Sequence, residues 1–288
     1  MSRWKQLVSL LIVAMTGLSW ASVSTNASTT PTGSTIQLSG TYNTQDLGGI
    51  RTKNGLKIKK NRLIRSDALA KLTNHDRWKL TYQIGLRTVF DFRSIGEINR
   101  AKDNRLKGVH YRVDSVMANS KFGVHTVRTY ANQLANQRTT NMLTFYQRMV
   151  IDKHCIHAYR QLMIQLLKQH HDALLYHCTY GKDRTGIATM LILVSLGVPK
   201  KTIIANYLKS NAALKPVVHQ EFQQLKRATH NRRALANFKR AREAKTSYLN
   251  AAYRAINRHY GSMNHYLNDA MGLSVAKIHR LRQLYLTK

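Results

Sequence analysis

A chain of 288 residues, 43% of them hydrophobic, is long enough to bury one full-sized core and too apolar to be a disordered polymer. Its 46 Lys and Arg against 13 Asp and Glu give a formal charge of +33, which favours anionic partners: acidic polymers, lipid head groups, phosphorylated molecules or nucleic acid. Charge alone does not choose among these.

The N-terminus carries Arg3 and Lys5, an apolar stretch from Leu7 to Leu18, and then small residues including Ala21 and Ala27. That order reads as a secretory signal peptide over residues 1–27, and the stretch is short for a membrane span of about 20 residues. The chain is therefore expected to be exported, as a secreted or cell-envelope protein. The Ser/Thr-rich residues 28–36 read as a flexible leader, and 37–288 as a single domain without internal repeats. An exported chain meets oxidants, and Cys155 and Cys178 either pair or stay free.

From there the elements alternate. "NRLIRSDAL", "RTVFDFRS", "HYRVDSV" and "ALLYHC" each hold a short strand-type run. Thr140 is placed to cap a long helix towards Lys168, and Arg184 to Leu196 reads as a helix closed by Gly197. Pro199 suits the first turn of a helix through Lys209, Leu249 to Tyr260 has helical spacing, and Ser274 can cap a last helix. His154 and His157 lie three apart on a helix, but no distant ligand pair matches them, so no metal is expected. Between about 212 and 247 lies a helical segment rich in Lys226, Arg227, Arg232, Arg233, Lys239, Arg240, Arg242 and Lys245, with a thin apolar stripe of Phe222, Leu225, Leu235 and Phe238. It reads as a solvated face, as a surface for anionic membrane or polymer, or as a cover over a site.

The chemistry concentrates in "HCTYGKDRTG", His177 to Gly186, between the apolar runs "ALLY" and "IATMLILVSLG". A strand, a tight loop and a helix start would aim unpaired backbone N–H groups into the loop, where an anion settles. Gly181 and Gly186 allow close approach, and His177, Thr179, Tyr180 and Lys182 complete the expected phosphate-lining set, with Lys182 at the rim. The helix dipole and nearby cations favour a thiolate at Cys178, the candidate nucleophile. Arg184, six residues on, can return its guanidinium to two phosphoryl oxygens, and the Thr185 hydroxyl can hydrogen-bond the sulfur. The nucleotide-binding GxxxxGK[ST] loop is absent.

This stretch resembles the Cys-x5-Arg-Thr signature of the cysteine-based protein tyrosine phosphatases. "NTQDLGGIRT", "LIRSDAL", "TVFDFRS" and "YLKSNAAL" are similar to segments of the bacterial secreted members, so the resemblance spans essentially all of 37–288. It implies an α/β fold, a central mostly parallel sheet wrapped by helices with a helical lid insertion. It further implies a monomer that hydrolyses phosphotyrosine through a phospho-cysteine intermediate, extending in several relatives to phosphoserine, phosphothreonine or phosphoinositides. Neither a cofactor nor a nucleic-acid partner is implied. For the general acid the resemblance points to Asp91, at a strand end, with Asp183, inside the loop, as the competitor. Outside the phosphatases stand two rival readings, a non-enzymatic module holding wall polymer or anionic lipid and a rhodanese-like sulfur carrier; the Arg-Thr after the loop disfavours the second.

Overall fold

The computed structural model describes residues 31–123, 126–168 and 171–288. The signal-peptide expectation therefore lies outside the described residues. The strands are β1 (Ser34–Thr35), β2 (Gln45–Asp46), β3 (Lys57–Ile58), β4 (Leu63–Ser66), β5 (Leu86–Asp91), β6 (His110–Val113), β7 (Ala173–His177) and β8 (Leu286–Thr287). Six of them form one sheet in the order β1-β2-β4-β7-β5-β6, parallel from β4 to β6 and antiparallel at the β1-β2-β4 edge, while β3 and β8 make a separate ribbon.

Successive side chains of a strand point to opposite faces, and both faces of the central β5 and β7 are covered, so these two read as near-continuous apolar runs. In β7, Ala173 and Leu175 pack with Leu72, Leu80 and Leu106 on one side. Leu174 and Tyr176 join the larger core on the other. Truncating Leu175, fully buried, would cost about 2–5 kcal/mol through lost contacts and the cavity left behind.

Helices α1 (Asn74–Trp78) and α2 (Ile95–Arg100) follow β4 and β5. Next come α3 (Val127–Asn136), α4 (Asn141–Ile151) and α5 (Lys153–Lys168), then α6 (Asp183–Ser195), α7 (Lys200–Ala228), α8 (Arg232–Arg242), α9 (Thr246–Tyr260), α10 (Met263–His265) and α11 (Val275–Tyr285). Helix α6, which follows the loop after β7, is buried along nearly all its length, as a helix apolar on every side must be. Ala131 and Leu134 of α3, Leu225 of α7, and Ala234 and Phe238 of α8 form a small core of their own.

Three sequence expectations change. The helix expected from Thr140 to Lys168 is two helices, because Asp152 leaves helical geometry and its carboxylate caps α5 at the N–H groups of His154 (3.0 Å) and Cys155 (3.2 Å); the Thr140 side chain caps nothing. The described end of the leader is tied down rather than free: Ser34 and Thr35 pair with β2, and Asn206 and Lys209 donate to the carbonyls of Thr32 and Gly33, each at 2.7 Å. The helix after Pro199 does not stop at Lys209 but runs to Ala228 through Pro216, so the segment 212–247 is built from the far half of α7 together with α8.

Candidate active site

The parallel strands end in register, with Ser66 and Asp91 both opposite His177, and the chain then turns into the loop before α6. Gly181 has φ 62°, and a Cβ there would lie 2.5 Å from the backbone of Ser66. Only glycine meets both demands.

The loop's carbonyls are pulled outward. Ala68 N–H donates to Thr179 O (3.3 Å), Asn43 Nδ2 to Tyr180 O (3.0 Å) and Gly181 O (3.2 Å), and Arg65 donates to Gly181 O at 2.6 Å. Across a trans peptide the next N–H points opposite to the carbonyl, so the amides of Tyr180, Gly181 and Lys182 face the other way, into the loop. No side chain caps α6, whose first N–H groups extend the same concave set of donors. Asn43 and Arg65 lie in the segments that carry the resemblance, but nothing local in them announces that they hold this loop.

Cys178 is buried at the floor, only 2% exposed. Arg184, 5% exposed, is squared by Glu97: NH1 donates to Oε2 at 2.6 Å and NH2 to Oε1 at 2.8 Å, while NH2 also donates to Thr179 Oγ1 at 3.2 Å. Burial by itself would raise the Glu97 pKa, but Arg184, Thr179 and the Ser94 N–H outweigh it and hold the carboxyl down at about 2. Burial opposes the charge on Arg184, yet the Cys178 sulfur and Glu97 raise its pKa. Glu97 doubles as the capping-box residue of α2, and Gly123 leaves room for it, since a Cβ there would lie 2.7 Å from its Cγ. Sequence reading missed Glu97; its only local signal is the Ser94-x-x-Glu97 cap.

Behind the loop lies a buried, charge-balanced cluster. Arg93 binds Asp91 (2.8 Å) and Asp103 (2.9 Å), and His177 Nε2 sits 3.1 Å from Asp103 and 3.8 Å from Asp91. Burial would lower the His177 pKa, but the two carboxylates outweigh it and raise it to about 8. The expected placement of His177 is thereby corrected. His177 is fully buried and turned to this cluster rather than to the loop, and Asp91 has both oxygens engaged by Arg93. Among the described residues, Asp91, Asp103 and His177 are also the grouping that could hold a metal, but Arg93 already supplies the cation between the two carboxylates. His154 instead contacts the carbonyl of Ser115 (2.8 Å).

The other loop residues face the cover. Lys182 is 1% exposed, not at the rim, and donates to Ala241 O at 2.6 Å. Burial lowers its pKa, with Asp183, 3.5 Å away, opposing. Tyr180 donates to Glu221 (2.6 Å), whose other oxygen takes Arg242 (2.8 Å), and Arg242 lies over the rings of Tyr130, Tyr180 and Phe238. Asp183 opens α6 with its carboxylate 18% exposed and accepts from the Tyr146 hydroxyl at 2.5 Å; Tyr207 extends that chain at 2.7 Å and packs against Gly186, where a Cβ would meet it at 3.1 Å. The Thr185 hydroxyl is buried and bonds no atom among the described residues, so the expected bond to sulfur is not formed in this arrangement. Both thiols are free; Cys155 donates to Val116 O (3.1 Å), and burial, reinforced by Asp152, pushes its pKa up to about 12.

A free cysteine under inward-turned amides, with a clamped arginine on the same loop, is an arrangement that could hold a phosphoryl group against the sulfur. The model of the family described as "Tyrosine phosphatase family" matches residues 36–287. The chain belongs to that family. It is 34% identical over 243 residues to a candidate tyrosine-protein phosphatase of Cupriavidus necator, covering 82% of this chain and 84% of that one. With the triple specificity protein phosphatase PtpB of Mycobacterium tuberculosis it shares 27% identity over 283 residues, 87% of this chain and 98% of that one. The Pseudomonas aeruginosa TpbA crystal structure aligns over 77% of this chain and 98% of its own at 15% identity and a TM-score of 0.26, and contributes no residue assignment here. The protein is a protein tyrosine phosphatase with a mixed α/β fold, and phosphorylated substrates follow from the family.

Proposed function

We propose that the enzyme works through a phospho-cysteine intermediate, with Cys178 as nucleophile, Arg184 as phosphate clamp and Asp183 as general acid. The observation that carries this is the outward binding of the Thr179, Tyr180 and Gly181 carbonyls, which leaves three successive amides beside the cysteine. The Cys178 thiolate attacks phosphorus, the bond from phosphorus to the leaving oxygen breaks, and Asp183 gives that oxygen its proton. Water then attacks phosphorus, Asp183 takes its proton, the P–S bond breaks and orthophosphate leaves with the thiolate restored. Asp183 is preferred over Asp91 because it is partly exposed at the loop, whereas Asp91 is sealed against Arg93. For Arg184 to grip two phosphoryl oxygens, the Thr179 hydroxyl rotates off NH2, freeing that N–H beside Nε while Glu97 keeps the other edge.

The substrate range we propose is phosphotyrosine first, with phosphoserine, phosphothreonine and phosphoinositides beside it, supported by the triple specificity in the name of the mycobacterial relative. Export is proposed from the N-terminal pattern alone, and the enzyme is taken as a monomer. Association with an anionic membrane or wall surface is supported by Lys226 and Arg227 of α7 and Arg232, Arg233 and Lys239 of α8, all exposed. Each such cation is worth about 1 kcal/mol near an anionic surface, screened over a Debye length of about 8 Å.

Steady-state hydrolysis of a phosphotyrosine peptide and a phosphoinositide panel, with acid-quenched mass spectrometry of the peptide bearing Cys178, tests this. One phosphoryl group on Cys178 is expected; hydrolysis without it overturns the covalent route. Sedimentation with phosphatidylserine vesicles tests the surface: changing Lys226, Arg227, Arg232 and Arg233 to Gln should abolish binding, and unchanged binding would reduce those charges to a solvated face.

A further inference from the structure

A cavity of 410 Å³ opens far from the catalytic loop, between the turn at Thr52–Leu56, the C-terminal end of α6, the start of α7, and Tyr253 of α9. Helix α6 has 13 residues, so at about 1.5 Å per residue its two ends, one at the loop and one at this cavity, lie roughly 18 Å apart. The volume falls in the range that holds small ligands.

Its walls have two characters. Leu56, Val194, Leu196, Val198, Ile203 and Leu286 make an apolar floor, and Lys53, Lys200 and Arg282 stand exposed at the mouth, with no Asp or Glu among the lining residues. Arg282 already donates through Nε to Ser195 O (3.1 Å), and Lys200 lies 4.4 Å from the centre of the Tyr253 ring. An apolar floor beneath exposed cations that have no counter-charge among the lining residues calls for a ligand that brings an anionic head and apolar surface together.

We propose that this cavity binds a single-chain amphiphile with an anionic head, of the fatty-acid class. Its tail lies on the floor at Leu56, Val198 and Ile203. Lys53 and Lys200 take the carboxylate at the mouth. The site is separate from the catalytic machinery and independent of the substrate range proposed above.

Calorimetric titration of the full chain with hexanoate, octanoate and decanoate, each below its micelle threshold, tests the assignment. Affinity should rise about fourfold for each methylene buried. A neutral alcohol of matched length should bind at least about tenfold more weakly, the value of one lost charge-assisted contact. Two variants report on the location. K53E with K200E reverses the exposed cations and should weaken decanoate at least about tenfold, and Leu56→Trp fills the floor and should abolish binding. Both should keep the wild-type rate on a small aryl phosphate. If Leu56→Trp fails to fold, the charge pair still decides, because both side chains are exposed. Affinity that is flat across the chain-length series, or decanoate binding unchanged in the charge-reversed variant, would overturn the proposal.

Discussion

Replacing Glu97 by Gln keeps the shape of the side chain and removes its charge, and its cost can be worked in two ways. The carboxylate takes both guanidinium arms of Arg184, at 2.6 and 2.8 Å, with Thr179 and the Ser94 N–H as further donors, and the residue is 8% exposed. Breaking a buried pair so that one charge is left without its partner costs about 3–5 kcal/mol. Separately, a carboxyl held at about 2 rather than 4.5 is worth roughly 3 kcal/mol at neutral pH, at about 1.4 kcal/mol per pH unit. The two agree, so Glu97→Gln should lower the melting temperature by roughly 6–12 °C at pH 7. Because the folded pKa is depressed, this stability is fully present above pH 4.5 and is lost as pH falls towards 2. Thermal melts of both proteins from pH 7 to pH 3 should therefore show a gap that narrows below pH 4.5. A gap under about 2 °C at pH 7, or one that does not move with pH, would refute the reasoning. Activity should fall as well, since an amide NH2 set against a guanidinium N–H no longer holds Arg184 square to the phosphate.

Cys178→Ser should abolish turnover and keep binding of a phosphate analogue, because the amide donors stay; hydrolysis within about tenfold of wild type would exclude a cysteine nucleophile. Asp183→Asn should hurt substrates with poor leaving groups far more than an activated aryl phosphate, whereas Asp91→Asn should chiefly lower stability by unbalancing Arg93; the reverse pattern in leaving-group dependence would return the acid role to Asp91. Asn43→Ala should raise the inhibition constant for inorganic phosphate by about tenfold or more by releasing the Tyr180 and Gly181 carbonyls, and equal inhibition in the variant would show that Asn43 does not hold the amides in place. His177, raised from 6.5 to about 8, adds roughly 2 kcal/mol that is fully present below pH 6.5 and is lost as pH rises through 8; denaturant titrations at pH 6 and pH 9 should differ in that sense, and His177→Gln should remove the difference.

The centre of the fold was legible because its strands are contiguous apolar runs, and the catalytic loop because its groups lie within ten residues, His177 to Gly186. What holds that loop in shape was not. Glu97 reaches Arg184 from 87 residues away, and Asn43 reaches Gly181 from 138. Such partners are set by which strands end side by side, and β1 and β2, at two residues each, are too short for any periodicity to mark. The misplacement of His177 has the same origin. Being next to Cys178 in sequence, it alternates to the opposite side of the strand end, where Asp91 and Asp103 arrive from other segments.

The basic segment shows how the same shortage of acids shapes interior and surface together. Arg242 reads in sequence as one more cation of a solvated helix, yet its side chain is 14% exposed and bound to Glu221 between three aromatic rings, so it links the cover to Tyr180 of the loop. Asp91 and Asp103 serve Arg93, Glu97 serves Arg184, and Asp46, Asp67 and Asp76 accept backbone N–H groups while buried. With 13 acids in the chain and so many turned inward, the outer face of the cover is left almost wholly cationic. The surface field therefore follows from how the interior is neutralised. It can be altered at Lys226, Arg227, Arg232 or Arg233, which are exposed, without disturbing the loop, and it cannot be altered at Arg242, where a lost charge would leave the partly buried Glu221 without its cation and strip the guanidinium from the face of Tyr180.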